Sequence, residues 1–189
     1  VVNKFGADSL RLYEMFMGPL DKSKPWSTKG LHGCHRFLQK VWRLINDNGS
    51  KIKDNCSSNE TNILLHKTIK KITEDLNGLR FNTALSQLMI FTNHLNTLKV
   101  LDKNVINKFL ILLNPFAPHI TEELNQEIGF NQITSLDWPV YDKSLVIDEK
   151  IIIAVQFNGK KRGTLEVISG ANEDEILDQL RSSRFGDKY

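Results

Sequence analysis

The sequence is poor in groups that carry chemistry by themselves. Its 189 residues include two cysteines, Cys34 and Cys56, and no Cys-x-x-Cys pair. That spacing points neither to a zinc site nor to a disulfide framework, and it suits a reduced, cytoplasmic protein. No apolar run is long enough to cross a bilayer, so no membrane partner is expected. The opening Val1–Gly6 lacks the charged-then-apolar order of a secretion signal. Repeats, low-complexity tracts and Gly-rich phosphate cradles are all missing. His94 has Leu98 at i+4. His119 has Glu122 and Glu123 nearby but no second histidine at ligand spacing, and carboxylates early in a helix are explained by its dipole. No catalytic residue, metal site or cofactor is therefore assigned within the chain.

What remains is an ordinary globular composition, with 40% hydrophobic and 25% charged residues. The length allows one good core, or one core and a small satellite. The net charge of +3 is unevenly spread. Residues 146–189 hold seven Lys/Arg against eight Asp/Glu, and the rest hold 18 against 14. That balance permits a nucleic-acid face on the larger part without requiring one.

Helical periodicity dominates the first two thirds. Ala7–Met17 carries Leu10, Leu12, Tyr13, Phe16 and Met17, and Gly18-Pro19 stops it. A polar loop with Trp26 follows. Gly30–Asp47 is the next helix, with Phe37, Leu38, Val41, Leu44 and Ile45 inward and Trp42 off the centre of that stripe. Arg36, Lys40 and Arg43 fall at i, i+4 and i+7 and share a face. A Ser/Asn-rich loop leads to Thr61–Leu76, which Asn77-Gly78 closes. Asn82 is the expected N-cap of Thr83–Leu98. Asp102 begins a further helix that Pro115 breaks, and Pro118 starts another that ends at Gly129. Trp138 is expected to pin an extended connector over 135–141 to the bundle, and 142–149 reads as a linker.

The remainder is patterned differently. Ile151–Ile168 reads as a hairpin around Asn158-Gly159. A regular two-residue loop pairs Val155 with Arg162 and mixes apolar with polar positions. A three-residue loop, Phe157–Gly159, pairs Ile153 with Gly163 and Ile151 with Leu165. It places Gln156, Lys160, Arg162 and Thr164 on one polar side and Lys161 on the other. Asn172 to Glu175 is a capping box that opens a last helix.

Several separated motifs carry a likeness. GADSLRLY over 6–13 resembles the segment after the KMSKS loop in class I aminoacyl-tRNA synthetases of the leucyl, isoleucyl, valyl and methionyl group. EMFMGP, KPWSTKG, Arg36-Phe37-Leu38 and Val41-Trp42 look like the leucyl enzymes in particular. NPFAPH over 114–119 resembles the group's NPxxPH motif, with Asn125 where a Trp commonly follows Leu124. VQFNGKKRG over 155–163 resembles a hairpin of the leucyl C-terminal domain. The group's HIGH and KMSKS motifs do not occur in these residues.

The resemblance implies a mainly α protein: an antiparallel helical bundle of the class Ia anticodon-binding type, followed by a small α+β C-terminal domain. It divides the chain into a connector from a catalytic domain over 1–30, the bundle over 31–141, and an incomplete β-β-α tRNA-binding domain over 146–189. The partner it implies is tRNA(Leu), with leucine, ATP and Mg²⁺ handled by a catalytic domain outside this chain, in a monomeric enzyme. The residues it marks for tRNA are Arg36, Lys40, Arg43, Lys160 and Arg162, through backbone and shape contacts rather than anticodon reading. An isoleucyl, valyl or methionyl enzyme is the rival within the class. A non-enzymatic RNA-binding or interaction module is the rival outside it.

Overall fold

Burial of helical stripes builds the first part of the structure. The computed structural model describes residues 1–47, 49–146, 150–168 and 171–183. The chain divides into two compact units, Val1–Leu145 and Val146–Tyr189. In the first, α1 (Val2–Phe5), α2 (Ala7–Phe16) and α3 (Thr28–Asn46) precede a two-residue strand, β1 (Ile52–Lys53). Then come α4 (Asn59–Asn77), α5 (Phe81–Leu95), the short strand β2 (Leu101–Asp102), α6 (Lys103–Leu113) and α7 (Pro118–Glu127). The core is a continuous cluster in which Leu12, Leu31, Ile45, Ile69, Leu85, Phe91, Phe109 and Phe116 are essentially inaccessible. Each such side chain contributes on the order of 1.5–3 kcal/mol through burial.

Helix starts are set by side-chain oxygens. Ser27 accepts from Gly30 N at 3.2 Å, so α3 begins two residues before sequence periodicity suggested. Ser58 accepts from Thr61 N, and Asp102 from Asn104 N and Val105 N. The other oxygen of Asp102 accepts from Cys56 N and Ser57 N, which ties the 49–58 loop to the start of α6. The pairing of β1 with β2 is parallel and was not legible in so short a stretch.

The α4–α5 junction departs from expectation. Asn82 does not cap α5; the cap position is Arg80, with no side-chain bond. Gly78 is the C-cap of α4, as expected, but the left-handed position is the next one. That position falls to Leu79, at φ +55°, while Arg80 N donates to Asp75 O and Leu79 N to Leu76 O, the two bonds of a Schellman stop. A Cβ at Gly78 would overlap the Arg80 guanidinium and require that side chain to shift. That guanidinium folds back to Asp75 Oδ1 at 2.9 Å and Glu74 O at 2.9 Å.

The connector is held as expected at Trp138, whose Nε1 donates to Thr73 Oγ1 at 2.9 Å. Asp142 N then donates to His66 Nδ1 at 2.8 Å. Of the linker expected at 142–149, residues 147–149 lie outside the described residues.

The second unit is an antiparallel hairpin, β3 (Lys150–Phe157) and β4 (Lys160–Ile168), with α8 (Glu173–Arg181). Asn158 and Gly159 both have positive φ, +48° and +72°, which is a two-residue type I′ turn and not the expected three-residue loop. Lys160 pairs with Phe157 and Lys161 with Gln156. An irregularity then makes Arg162 an extra residue, so that Val155 pairs with Gly163 and Ile153 with Leu165. The physical reason is a conflict between two local demands. Asn-Gly selects the tight turn, the apolar stripes select a register one residue away, and a β-bulge reconciles them. Buried Val155 and Val167 mark the inner face, and exposed Ile152, Ala154, Gln156, Thr164 and Glu166 mark the outer one. Asn172 and Glu175 form the capping box of α8 as expected.

Candidate nucleic-acid interface

The cation row on α3 follows from where that helix buries itself. Leu31, Cys34, Phe37, Leu38, Val41, Leu44 and Ile45 face the core, which turns Arg36 and Arg43 fully outward. Lys40 lies on the flank, half-buried, and its Nζ donates to Asn93 Oδ1 of α5 at 2.6 Å. Arg43 Nε donates to the Gln39 carbonyl at 3.2 Å. The helical rise spaces Arg36, Lys40 and Arg43 over about 10 Å. The acceptors at Asn93 and Gln39 are neutral oxygens. A row of that length can lie along a phosphate backbone and displace its counterions.

The hairpin tip carries Lys160, Lys161 and Arg162, all exposed. Their distribution corrects the expectation that Lys160 and Arg162 share a side. The pairing sets Lys161 with Gln156 on the outer face and Lys160 opposite Phe157 on the other. Arg162, two residues before outward Thr164, joins Lys161. The bulge therefore gathers two adjacent cations on one face, where strict alternation would have separated them.

Groups that could have signalled acid–base chemistry have structural duties. His119 Nδ1 lies 2.7 Å from Asp8 Oδ1, and Asp8 also accepts from Ile120 N at 2.8 Å, so the pair fastens α2 to the start of α7. Glu122 accepts from Ile133 N and Thr134 N. Asn125, where the synthetase motif commonly has Trp, is fully buried and links Asn107 to the Asn131 carbonyl. Burial pushes the Cys34 thiol up to about 11, which makes it an inert core residue. Burial also raises the Asp75 carboxyl. The Thr83 hydroxyl and the Lys71 and Arg80 cations outweigh that and hold it below the usual carboxylate range. His66 is lowered, first by burial and then by Lys108, against a raising effect of Asp142. Among the described residues no group of three or more His, Cys, Asp or Glu could hold a metal, and no helix is long and apolar enough to cross a membrane.

An antiparallel bundle with an outward cation row, followed by a hairpin unit with a cationic tip, has the build of a nucleic-acid docking module. Residues 62–177 match the family model for the anticodon-binding domain of tRNA ligases, and the chain belongs to that family. It is similar to the leucine–tRNA ligases of Chlorobaculum tepidum, 45% identical over 185 residues, and Chloroherpeton thalassium, 46% identical over 182. Those alignments cover 96% and 94% of this chain, which spans 23% of the length of either relative. Its fold also matches the LeuRS of Agrobacterium radiobacter K84, solved as a ternary complex with tRNA and LeuAMS. That match has a TM-score of 0.80 and 29% identity, covering 97% of this chain and 26% of the other.

Proposed function

We propose that this chain is the tRNA-docking portion of a leucine–tRNA ligase, acting in the cytoplasm as part of a monomeric enzyme. The ligase joins leucine to tRNA(Leu) with ATP and Mg²⁺ at a catalytic domain outside these residues. Arg36, Lys40 and Arg43 follow a backbone on the bundle, and Lys160 and Arg162, together with Lys161, meet phosphates at the hairpin tip. These contacts position the RNA without reading its sequence. The supporting observation is that nearly the whole chain, both units included, matches a LeuRS captured with tRNA. The leucine ligases at 45% identity favour leucyl over isoleucyl, valyl or methionyl enzymes.

Fluorescence titration of the 189-residue chain with a tRNA(Leu) transcript tests this reading. Saturable binding that weakens steeply with salt is expected, together with no leucine-dependent exchange of pyrophosphate into ATP by the chain alone. Absence of RNA binding at low salt contradicts the docking role, and leucine-dependent exchange contradicts the division of labour.

A further inference from the structure

One surface of the bundle has no part in the reading above: the outward face of α5. This helix contains no Lys, Arg, Asp or Glu in its 15 residues, although charged residues make up 25% of the chain. Its inward side is Ala84, Leu85, Leu88, Phe91, Thr92 and Leu95. Its outward stripe is Asn82, Ser86, Ile90 and Asn93, and Ile90 is 54% exposed. The solvent side of a surface helix is ordinarily charged, so a stripe of one half-buried and one exposed amide, a hydroxyl and an isoleucine calls for a reason. The bond from Lys40 Nζ to Asn93 Oδ1 makes this stripe the direct neighbour of the α3 cation row.

We infer that the α5 stripe contacts the sugar edge of an A-form RNA stem, reading its 2′-hydroxyls while α3 holds the adjoining phosphates; this rests on the tRNA-docking reading. The shallow minor groove of an RNA stem displays ribose hydroxyls that both donate and accept, bordered by phosphate ridges. A carboxylate facing that groove is repelled by the phosphates, and a lysine is drawn to the ridge instead of the ribose. Neutral side chains are what remain. The two fully exposed polar residues of the stripe, Ser86 and Asn93, have their roles set in advance. Asn93 Oδ1 is taken by Lys40, so the amide nitrogen is the group left to point outward as a donor. Ser86 Oγ donates to Asn82 O at 2.9 Å, so its lone pairs are left to accept a 2′-hydroxyl proton. Ile90, between them, covers the ribose carbons.

The test uses two tRNA(Leu) transcripts, one natural and one with 2′-fluoro pyrimidines, which keep the A-form but remove the hydroxyl proton and most of its acceptor strength. Binding to the 189-residue chain is compared with the S86A/N93A variant, whose folding is checked by circular dichroism. The wild-type chain is expected to bind the fluorinated RNA about fivefold more weakly, the worth of one or two hydrogen bonds. The variant is expected to bind both RNAs with that reduced affinity, with its salt slope unchanged. Wild-type binding that is equal for the two RNAs overturns the inference and leaves the docking reading intact. A variant that keeps the full preference for natural RNA also overturns it, since the hydroxyls are then read elsewhere. Binding of neither RNA removes the docking reading itself.

Discussion

Asp8 and His119 lie 111 positions apart in the chain and 2.7 Å apart in space. The Asp8 carboxylate also accepts from Ile120 N at 2.8 Å and from His119 N at 3.4 Å. It thus caps α7, whose own cap position, Ala117, has no side chain for the task. Arg11 Nη2 reaches the Pro115 carbonyl at 2.8 Å from the same helix. About one turn of α2, Asp8 to Arg11, therefore satisfies both sides of the proline break between α6 and α7.

Removing that cap is expected to destabilise the first unit. Asp8→Ala should cost about 0.5–2 kcal/mol in urea denaturation, the range for a lost N-cap. Asp8→Asn keeps one acceptor and should cost less. Unchanged midpoints for both variants contradict the capping role.

Much of this fold was legible because the helices of the bundle bury clear stripes: spacing alone identified Phe37, Leu38, Val41, Leu44 and Ile45 as inward on α3, and missed Leu31 and Cys34 in its first two turns. The site was legible in part. Spacing put Arg36, Lys40 and Arg43 on one face, but nothing local revealed the reach of Lys40 to Asn93. Asp8 looked like a start signal for its own helix because a cap delivered from 111 positions away leaves no local trace. The hairpin register was missed for a different reason. Turn preference and apolar alternation pointed to different registers, and the bulge at Arg162 that satisfies both adds one residue with no compositional mark. The stop of α4 at Asn77-Gly78 was legible, but not the left-handed Leu79 after it or the return of Arg80 to Asp75.

Leu79 gives the second expectation. A leucine at φ +55° is strained by roughly 1 kcal/mol, and its side chain is 60% exposed, so little packing offsets the strain. Leu79→Gly should raise stability by about 0.5–1 kcal/mol, read as a higher thermal midpoint. Gly78→Ala should lower it, because the new methyl displaces Arg80 from Asp75. A Leu79→Gly variant less stable than wild type contradicts the strain argument.

Asp75 sets a pH dependence. Its carboxylate is fully buried and bonded to Lys71, Arg80 and Thr83. Its folded pKa lies below the ordinary aspartate value, so the unfolded chain takes up the proton first as pH falls. The contribution is fully present above that value and is lost as pH drops through the folded pKa. Asp75→Asn should therefore be less stable than wild type at pH 7, and the difference should shrink under acid. Breaking a buried pair typically costs about 3–5 kcal/mol. A constant difference from pH 7 into the acid range rules out the linkage.

The most direct measurement is the salt dependence of tRNA(Leu) binding for the chain with Arg36, Lys40 and Arg43 all changed to Ala. Each phosphate contact adds roughly 0.7–0.9 to the slope of log affinity against log salt. If the α3 row follows the RNA backbone, the triple variant binds more weakly and its slope flattens by about two, while circular dichroism shows the bundle unchanged. A wild-type slope and affinity in the folded triple variant would contradict the assignment of this face to tRNA.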